Sequence, residues 1–316
     1  MSKKDIDVLC IGLMVCDIIA KPVGKEIFDI DSHRVDTLNV ASGGDAFNAA
    51  VNISKLGMNA ALLGKIGNDM MGDFLSGQAE SHGIDTKYIK RSEGMPTSTS
   101  IVLVESDGER HFAYHGEAND ALSQNDIDDS TLESARIVHY GSAMALAGLD
   151  GKSISEIFKK AKNVGAITSM DVTWDSTGQW LKKIEDALMY TDIFMPSIQE
   201  AKLISGSQSP EEIADFFKEY AIKTLVIKMG EEGCYITDFK QNFTIPAFCE
   251  VDIVDTIGAG DAFVSGFLVG ILQDFDLYEC GILGNAVAAS CVTQAGATTG
   301  VKSWCETLEF IEKYRS

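Results

Sequence analysis

Apolar and polar positions follow two different periods along this chain, and each period predicts a different element. Short apolar runs bounded by turn residues predict buried strands, whereas apolar positions three or four residues apart predict amphipathic helices. The predicted strands are Val8–Met14, Ala60–Leu63, Ile137–Tyr140, Ala166–Asp171, Ile193–Met195 and Thr224–Lys228. The predicted helices lie between them, at about Asp45–Leu56, Met70–Ser81, Ser153–Val164, Gln179–Met189, Pro210–Tyr220 and Asp261–Leu272. This order predicts an α/β fold with helices on both faces of a sheet.

Two stretches, Lys21–Val40 and Thr97–Tyr114, interrupt this order. Both alternate polar and apolar residues, which is typical of strands with one solvated face. We expect them to form a small sheet of their own that acts as a lid. Neither a repeat nor a proline-rich linker divides the chain. The sequence therefore predicts one domain over residues 1–316, with lid segments at about 15–40 and 96–118.

Charge and cysteine content narrow the possible partners and the compartment. The 316 residues carry a formal net charge of -21, which argues against nucleic acid and anionic membrane surfaces as partners. The seven cysteines are odd in number and form no Cys-x-x-Cys pair, so we expect free thiols in a reducing compartment. With no signal-peptide pattern at the start and no apolar run of about 20 residues, the sequence predicts a cytoplasmic protein.

Two common nucleotide-binding motifs are absent. The Gly-Lys-Ser at 151–153 has Leu146 where a P-loop requires glycine, and no G-x-G-x-x-G accompanies the first predicted strand, because Gly12 stands alone in CIGLMVC. A P-loop kinase and a Rossmann dehydrogenase are both disfavoured.

The segment DTIGAGDAF, Asp255–Phe263, runs directly into an apolar helix. A glycine-rich turn at a helix N-terminus presents several amide N–H groups to an anion, aided by the helix dipole. Asp261 lies beside this turn, where its carboxylate could accept a proton from a substrate hydroxyl. The alternative is that Asp261 only caps its helix. The two glycines of the turn favour an anion site.

This segment resembles the C-terminal signature D-T-x-G-A-G-D-x-F of the PfkB, or ribokinase-like, family of carbohydrate kinases. The resemblance implies ATP-dependent phosphorylation of a sugar hydroxymethyl group, with Asp261 as catalytic base. It also implies an anion hole at Gly258, Ala259 and Gly260. The implied fold is a ribokinase-like three-layer α/β/α sandwich with a mostly parallel central sheet and a small β-sheet lid.

The run GGDAFNAA from Gly43, continuing to Leu56-Gly57, is similar to the N-terminal signature of the same family. The resemblance implies that Asp17, Gly43, Gly44 and Asn48 bind the sugar. The alternative is that the two glycines form only a turn before a helix capped by Asp45.

Further resemblances concern the nucleotide and its metal ion. The loop that cradles ATP in the family corresponds to Lys228, Gly230 and Gly233. Asn285 corresponds to a residue of the adenine pocket, or else it is a helix residue that faces solvent. The family's N-x-x-E motif is represented by Ser197 and Glu200, so the asparagine is replaced and the glutamate is retained. The resemblance implies that Mg²⁺ associates with Glu200 through water.

Relatives also bind a monovalent cation such as K⁺ beside the anion hole, mostly through carbonyl groups. The corresponding positions are Asp255, Ile257, Cys291, Gly296 and Gly300.

The substrate is less closely defined. Where many family members have D-x-N-x-R, this chain has Asp171, Thr173 and Asp175, and the lost arginine argues against a strongly acidic sugar. We expect a ribose- or fructose-like sugar. The alternatives are a nucleoside, stacked on Phe112 or Tyr114, and a sugar-binding regulator that has no catalytic activity. An exposed lid edge also predicts a homodimer through the lid.

Overall fold

Strands and helices alternate along residues 4–314, the part of the chain that this computed structural model describes. The strands are β1 (Ile6–Ile11), β2 (Val15–Lys21), β3 (Thr37–Gly43), β4 (Ala60–Leu63), β5 (Lys65–Gly67), β6 (Lys90–Ser92), β7 (Thr99–Val104), β8 (Arg110–His115), β9 (Ala135–Ala143), β10 (Ile167–Val172), β11 (Ile193–Phe194), β12 (Thr224–Lys228), β13 (Cys234–Thr237) and β14 (Asn242–Ile245). The helices are α1 (Asp45–Lys55), α2 (Met70–Ser81), α3 (Glu117–Asp120), α4 (Asp129–Glu133), α5 (Lys152–Asn163), α6 (Leu181–Leu188), α7 (Ile198–Ser205), α8 (Pro210–Phe217), α9 (Ala259–Leu272), α10 (Leu277–Cys291) and α11 (Trp304–Tyr314). Short 3-10 helices lie at Lys25–Asp29, Gln124–Asp126 and Gly230–Glu232.

Eight strands form the large sheet in the order β14-β13-β12-β11-β10-β9-β1-β4. Neighbours from β12 to β4 are parallel, and β13 and β14 add an antiparallel edge. Strand β1 is buried on both faces: Val8 and Cys10 belong to one hydrophobic core, Leu9 and Ile11 to the other. Such a strand has an unbroken apolar run. The three-layer α/β/α prediction is confirmed.

Four strands form a second, small sheet in the order β3-β2-β7-β8. Its register places Asp17, Ser100 and Tyr114 on one face, and Ile18 and its neighbours on the other. The predicted small sheet therefore exists, although the run Lys21–Val40 is strand only at its ends.

Predicted and observed elements agree best where the pattern is strongest. Strands β4 and β12 and helix α2 have the predicted bounds. The predicted strand Val8–Met14 is wrong at its end, because β1 stops at Ile11 and a new strand starts at Val15. Helix α10, which contains Asn285, is absent from the helices predicted by periodicity, because it is buried around most of its circumference and so lacks a polar face.

Among residues 4–314, the chain forms no helix of the length and apolarity that a membrane crossing requires.

Candidate active site

Asp261 lies in the first turn of α9, next to α1. Its Oδ2 accepts a hydrogen bond of 2.8 Å from Nδ2 of Asn48. The N-cap of α9 is Gly258, and no side chain caps this helix. The alternative role of Asp261 as an N-cap is therefore wrong. Two residues that are 213 positions apart, one predicted as base and one as sugar ligand, meet at one point.

The backbone of the same turn offers free donors. The N–H of Ala259 bonds to the carbonyl of Thr256 at 3.3 Å, which closes the turn. The next two N–H groups, those of Gly260 and Asp261, donate to no acceptor anywhere in residues 4–314. Free N–H groups at the positive end of a helix dipole are suited to bind an anion.

Two glycines bring the N-termini of α9 and α1 close to neighbouring loops. Gly258 has a φ of 74°, and a Cβ there would lie 2.4 Å from the carbonyl oxygen of Ala297. Gly44 has a φ of 100°, and a Cβ there would lie 2.3 Å from the carbonyl oxygen of Leu13. Gly44 is the N-cap of α1 and no side chain caps the helix, so the alternative role of Asp45 as its cap is also wrong.

The candidate sugar-binding residues lie around Asn48. This side chain is 5% exposed, and its Oδ1 has no hydrogen-bond partner within the described chain. Asp17 extends from β2 toward Gly43, and a Cβ at that glycine would lie 2.4 Å from Oδ2 of Asp17. Burial raises the pKa of Asp17 to about 6. Gly43 thus lets a half-buried carboxyl group approach the backbone.

A cavity of about 420 Å³ opens beside Asp261. Four carboxyl groups line it, from Asp45, Asp171, Glu200 and Asp261. Lys228 is the one cationic side chain that lines it within the described residues. Such a cavity, rich in negative charge, requires a cation or protons to balance it.

The ionisation of these groups reflects that imbalance. Burial raises the pKa of Asp261 to about 6, against the hydrogen bond from Asn48 and the charge of Lys228. Lys228 forms a buried ion pair with Asp171. Burial alone would lower the pKa of Lys228, but the carboxylates of Asp171 and Glu200 outweigh it and the net pKa is raised. The lysine therefore stays charged.

Asp45 is a site residue that the sequence did not reveal. Its Oδ2 is buried and has no partner among residues 4–314. Burial, followed by the nearby carboxylates of Asp261 and Asp171, holds its pKa well above the usual range. In the sequence it is only an aspartate at the start of a helix, and its location becomes evident only when α1 and α9 are packed together.

Ser197 and Glu200 form a capping box at the start of α7. The Oε2 of Glu200 accepts bonds from the N–H of Ser197 at 2.8 Å and from its hydroxyl at 2.7 Å. Both residues line the acidic cavity. The serine that replaces asparagine is therefore used locally to orient the glutamate.

A second cavity, of about 530 Å³, adjoins the first and shares Lys228, Gly230 and Gly260 with it. It is mainly apolar, with Phe263 and Asn285 among the residues that line it. The side chain of Asn285 donates to the carbonyls of Ile245 and Pro246 at 3.2 and 3.1 Å and is not a solvent-facing helix residue. Gly233 lines this cavity too.

The five positions predicted for a monovalent cation are gathered in one place. Asp255 accepts bonds from the N–H groups of Ile257 and Gly296, at 3.0 and 2.9 Å. Gly300 packs against the carbonyl group of Cys291. Arg110 of the small sheet also reaches this place and pairs with Asp255 at 3.1 Å.

Asp175, which stands where relatives have arginine, is not among the residues that line the acidic cavity. It is buried and accepts bonds from the N–H groups of Thr177 and Trp180 at 3.0 and 2.7 Å. Lys183 pairs with it at 3.1 Å. These bonds lower the pKa of Asp175 against the effect of burial. The residue fixes its loop, while Thr173 lines the cavity.

The sequence and the fold were both compared with those of known proteins. The family model described as pfkB family carbohydrate kinase matches residues 5–304. An uncharacterized sugar kinase of Archaeoglobus fulgidus is 32% identical over 252 residues, which cover 79% of this chain and 98% of that protein. A probable fructokinase-2 of Arabidopsis thaliana is 30% identical over 289 residues, covering 86% and 87% of the two chains. The crystal structure of a ribokinase from Thermotoga maritima superimposes with a TM-score of 0.84 at 25% identity, covering 97% and 99%.

Proposed function

Since this chain belongs to the pfkB family of carbohydrate kinases and uses ATP to phosphorylate a sugar, we propose that its substrate is a ribose- or fructose-like sugar and that Asp261 is its catalytic base. One observation carries the proposal. The Asn48–Asp261 hydrogen bond lies directly beside the two free amides of the α9 turn. The proposed sugar ligand, the proposed base and the free amides proposed to bind phosphate therefore lie next to one another.

The proton transfer that we propose begins at Asp261. Its carboxylate takes the proton of a hydroxymethyl group while that oxygen forms a bond to the γ-phosphorus of ATP. The bond between this phosphorus and the bridging oxygen breaks, and ADP leaves with the electron pair. The Nδ2 of Asn48 holds the carboxylate in place, and its unpartnered Oδ1 is available to a sugar hydroxyl.

The transferred phosphoryl group carries negative charge throughout. We assign the N–H groups of Gly260 and Asp261, with the charged Lys228, to stabilise that charge. Nothing in this arrangement has to reorganise during transfer, because the amides are fixed by the Gly258 turn.

The cavity residues fit Mg²⁺. Oδ2 of Asp45 is buried without a partner in the described chain and faces the same space as Glu200 and Asp171. Hard divalent ions prefer carboxylate oxygens and water. We assign Glu200, through water, and Asp45 as the groups that would hold the ion. When bound, Mg²⁺ offsets the charge of the triphosphate.

The adjoining apolar cavity is the proposed adenine site, with Asn285 and Gly233 at its wall and Gly230 at the junction. A flat apolar base fits such a lining, and the shared Lys228 and Gly260 connect it to the phosphate side. Dependence on ATP favours a cytoplasmic location.

The substrate class follows from charge. Lys228, the one cationic side chain that lines the acidic cavity within the described residues, is paired with Asp171, and the four carboxyl groups there disfavour an acidic or phosphorylated sugar. A nucleoside is a second candidate, because Phe112 is 61% exposed on the face of the small sheet that also carries Asp17.

We also propose a homodimer through the other face of the small sheet. Leu38, Val40 and Ile101 are 65%, 50% and 47% exposed there. Exposed apolar residues on a sheet face are typical of an association surface.

The test is ADP release from Mg-ATP across a panel of pentoses, ketoses, sugar acids, sugar phosphates and nucleosides. We expect one neutral sugar to stimulate release, and the Asp261→Asn variant to abolish it. Stimulation by a nucleoside alone would assign the second candidate. Sugar binding measured by calorimetry without any ADP release would mean a sugar-binding regulator and would overturn the proposal.

A further inference from the structure

The anion-hole turn begins at Asp255, whose side chain is 6% exposed. A carboxylate so close to a phosphate site opposes anion binding unless a positive charge accompanies it. Family resemblance assigns that charge to K⁺, so the contacts of Asp255 decide whether an ion fits here.

A cationic side chain already occupies this position. Nη2 of Arg110, at the start of β8 in the small sheet, lies 3.1 Å from Oδ1 of Asp255. The Arg110 side chain is 29% exposed, so the pair is partly desolvated. The second oxygen, Oδ2, accepts the N–H of Gly296 at 2.9 Å, and Oδ1 also accepts the N–H of Ile257. Both carboxylate oxygens thus have partners.

Two of the carbonyl groups nearby face a thiol. The Sγ of Cys291 lies 3.6 Å from the carbonyl oxygen of Ile257 and 3.2 Å from that of Ala297, and its single S–H donates to one of them at a time. Potassium requires such oxygens as ligands. At Gly300 no side chain can add an oxygen, and a Cβ there would lie 2.4 Å from the carbonyl oxygen of Ser290.

These contacts do not fit a bound monovalent ion. We propose that Arg110 replaces it: its guanidinium supplies the fixed positive charge beside the anion-hole turn, and the Cys291 thiol lies against the two carbonyl oxygens that an ion would otherwise bind. The inference rests on the proposed function for its meaning, because the charge matters only if the turn binds phosphate. It makes the protein independent of K⁺.

This arrangement also connects the small sheet to the phosphate site. Arg110 and Asp17 both project from the face of the sheet that carries Ser100. The charge that replaces the ion is therefore attached to the element that carries a candidate sugar ligand, which a free ion cannot be.

The experiment measures the affinity for Mg-ADP by calorimetry and the melting temperature, in potassium chloride and in N-methylglucamine chloride of equal ionic strength. For the unmodified protein we expect both values to stay the same, within about twofold in affinity, because a specific bound ion would stabilise the native state and an absent one cannot. The Arg110→Gln variant should bind Mg-ADP about tenfold more weakly in both salts. Arg110→Gln combined with Cys291→Ala, which frees the carbonyls, should regain affinity in potassium only.

The matched control is Arg91→Gln, which removes an arginine that pairs with Asp73 at 2.9 Å on the surface. It should leave the affinity for Mg-ADP unchanged. Tighter Mg-ADP binding or a higher melting temperature of the unmodified protein in potassium would overturn the inference. So would an Arg110→Gln variant with unchanged affinity. These readouts need no turnover, so a protein that binds Mg-ADP but phosphorylates no sugar would contradict the proposed function alone.

Discussion

At the scale of single residues, the hydrogen bond between Asn48 and Asp261 joins the proposed sugar ligand to the proposed base. Asn48→Ala should raise KM for the sugar about tenfold or more, since a hydrogen bond to a charged or buried partner is lost. The control is Asn52→Ala, one turn further along α1, where the buried side chain has no hydrogen-bond partner within residues 4–314. Initial rates at varied sugar concentration measure both variants. An unchanged KM in Asn48→Ala would place the sugar elsewhere.

The pKa of Asp261, raised to about 6 mainly by burial, predicts a pH dependence. A base must be deprotonated to act, so kcat/KM should fall about tenfold per pH unit below pH 6 and level off above it. Asn48→Ala removes a hydrogen bond that lowers this pKa, and it should shift the acid limb to higher pH.

Unlike activity, the contribution of Asp261 to the free energy of unfolding should fall as the pH rises. Because the folded pKa of Asp261 lies above the unfolded value of about 4, the native state binds this proton more tightly. The contribution to stability is complete below about pH 4 and is lost as the pH rises through about 6. Melting temperatures recorded beside the rates check this, and a rate that rises below pH 6 would contradict the assigned base.

Sequence reasoning at the residue scale found the local motifs and missed the long-range contacts. The turn around Gly258 could be predicted because a glycine-rich turn and a helix start lie in one short segment. Asp45 and Arg110 could not, because their importance depends on neighbours more than a hundred positions away, such as Asp261 and Asp255.

At the scale of elements, the Gly258 turn fixes where the amides of α9 point. Gly258→Ala should lower both kcat and stability, the latter by about 1–3 kcal/mol, because φ is 74° and the new Cβ would clash with Ala297. Gly206→Ala is the matched control: φ is 75° there, at the C-cap of α7, and a Cβ meets nothing within 4 Å.

Both variants carry a similar backbone strain, so the difference between them reports the clash and the displaced amides. Chemical unfolding measures stability, and single-turnover rates measure transfer. If Gly258→Ala transferred phosphate as fast as Gly206→Ala, the turn would have no part in stabilising the transferred group.

The sequence predicted the bounds of an element best where buried apolar residues are flanked by turn residues. Strands β4 and β12 were predicted residue for residue because both are short apolar runs between turn residues. The edge hairpin β13–β14 and the buried helix α10 have no such contrast, since one is partly exposed on an edge and the other is apolar on nearly every side.

At the scale of the whole molecule, a net charge of -21 opposes self-association and an apolar sheet face favours it. We expect a dimer of twice the 34.1 kDa chain mass that strengthens as salt screens the repulsion. Val40→Glu with Ile101→Glu should yield a monomer, whereas Leu203→Glu, at an exposed position on α7, should not. Sedimentation velocity at several salt concentrations tests this, and a dimer that persists in the double variant would place the interface elsewhere.

The charge of the whole molecule also explains why its phosphate site is built from local devices. A strongly negative protein cannot attract ATP by its overall field, so we expect the N-terminus of α9, Lys228 and the Mg²⁺ proposed for the acidic cavity to supply the attraction. This general expectation could be stated from composition alone, whereas the donors themselves required the fold.

The most direct measurement compares phosphoryl transfer and nucleotide affinity in the Asp261→Asn variant, with Asp276→Asn at the exposed N-cap of α10 as control. We predict a single-turnover rate about a thousandfold lower in Asp261→Asn, with nearly unchanged affinity for Mg-ADP by calorimetry, because only proton acceptance is lost. Asp276→Asn should transfer at the unmodified rate. Full transfer by the Asp261→Asn variant would contradict the assignment of Asp261 as the base.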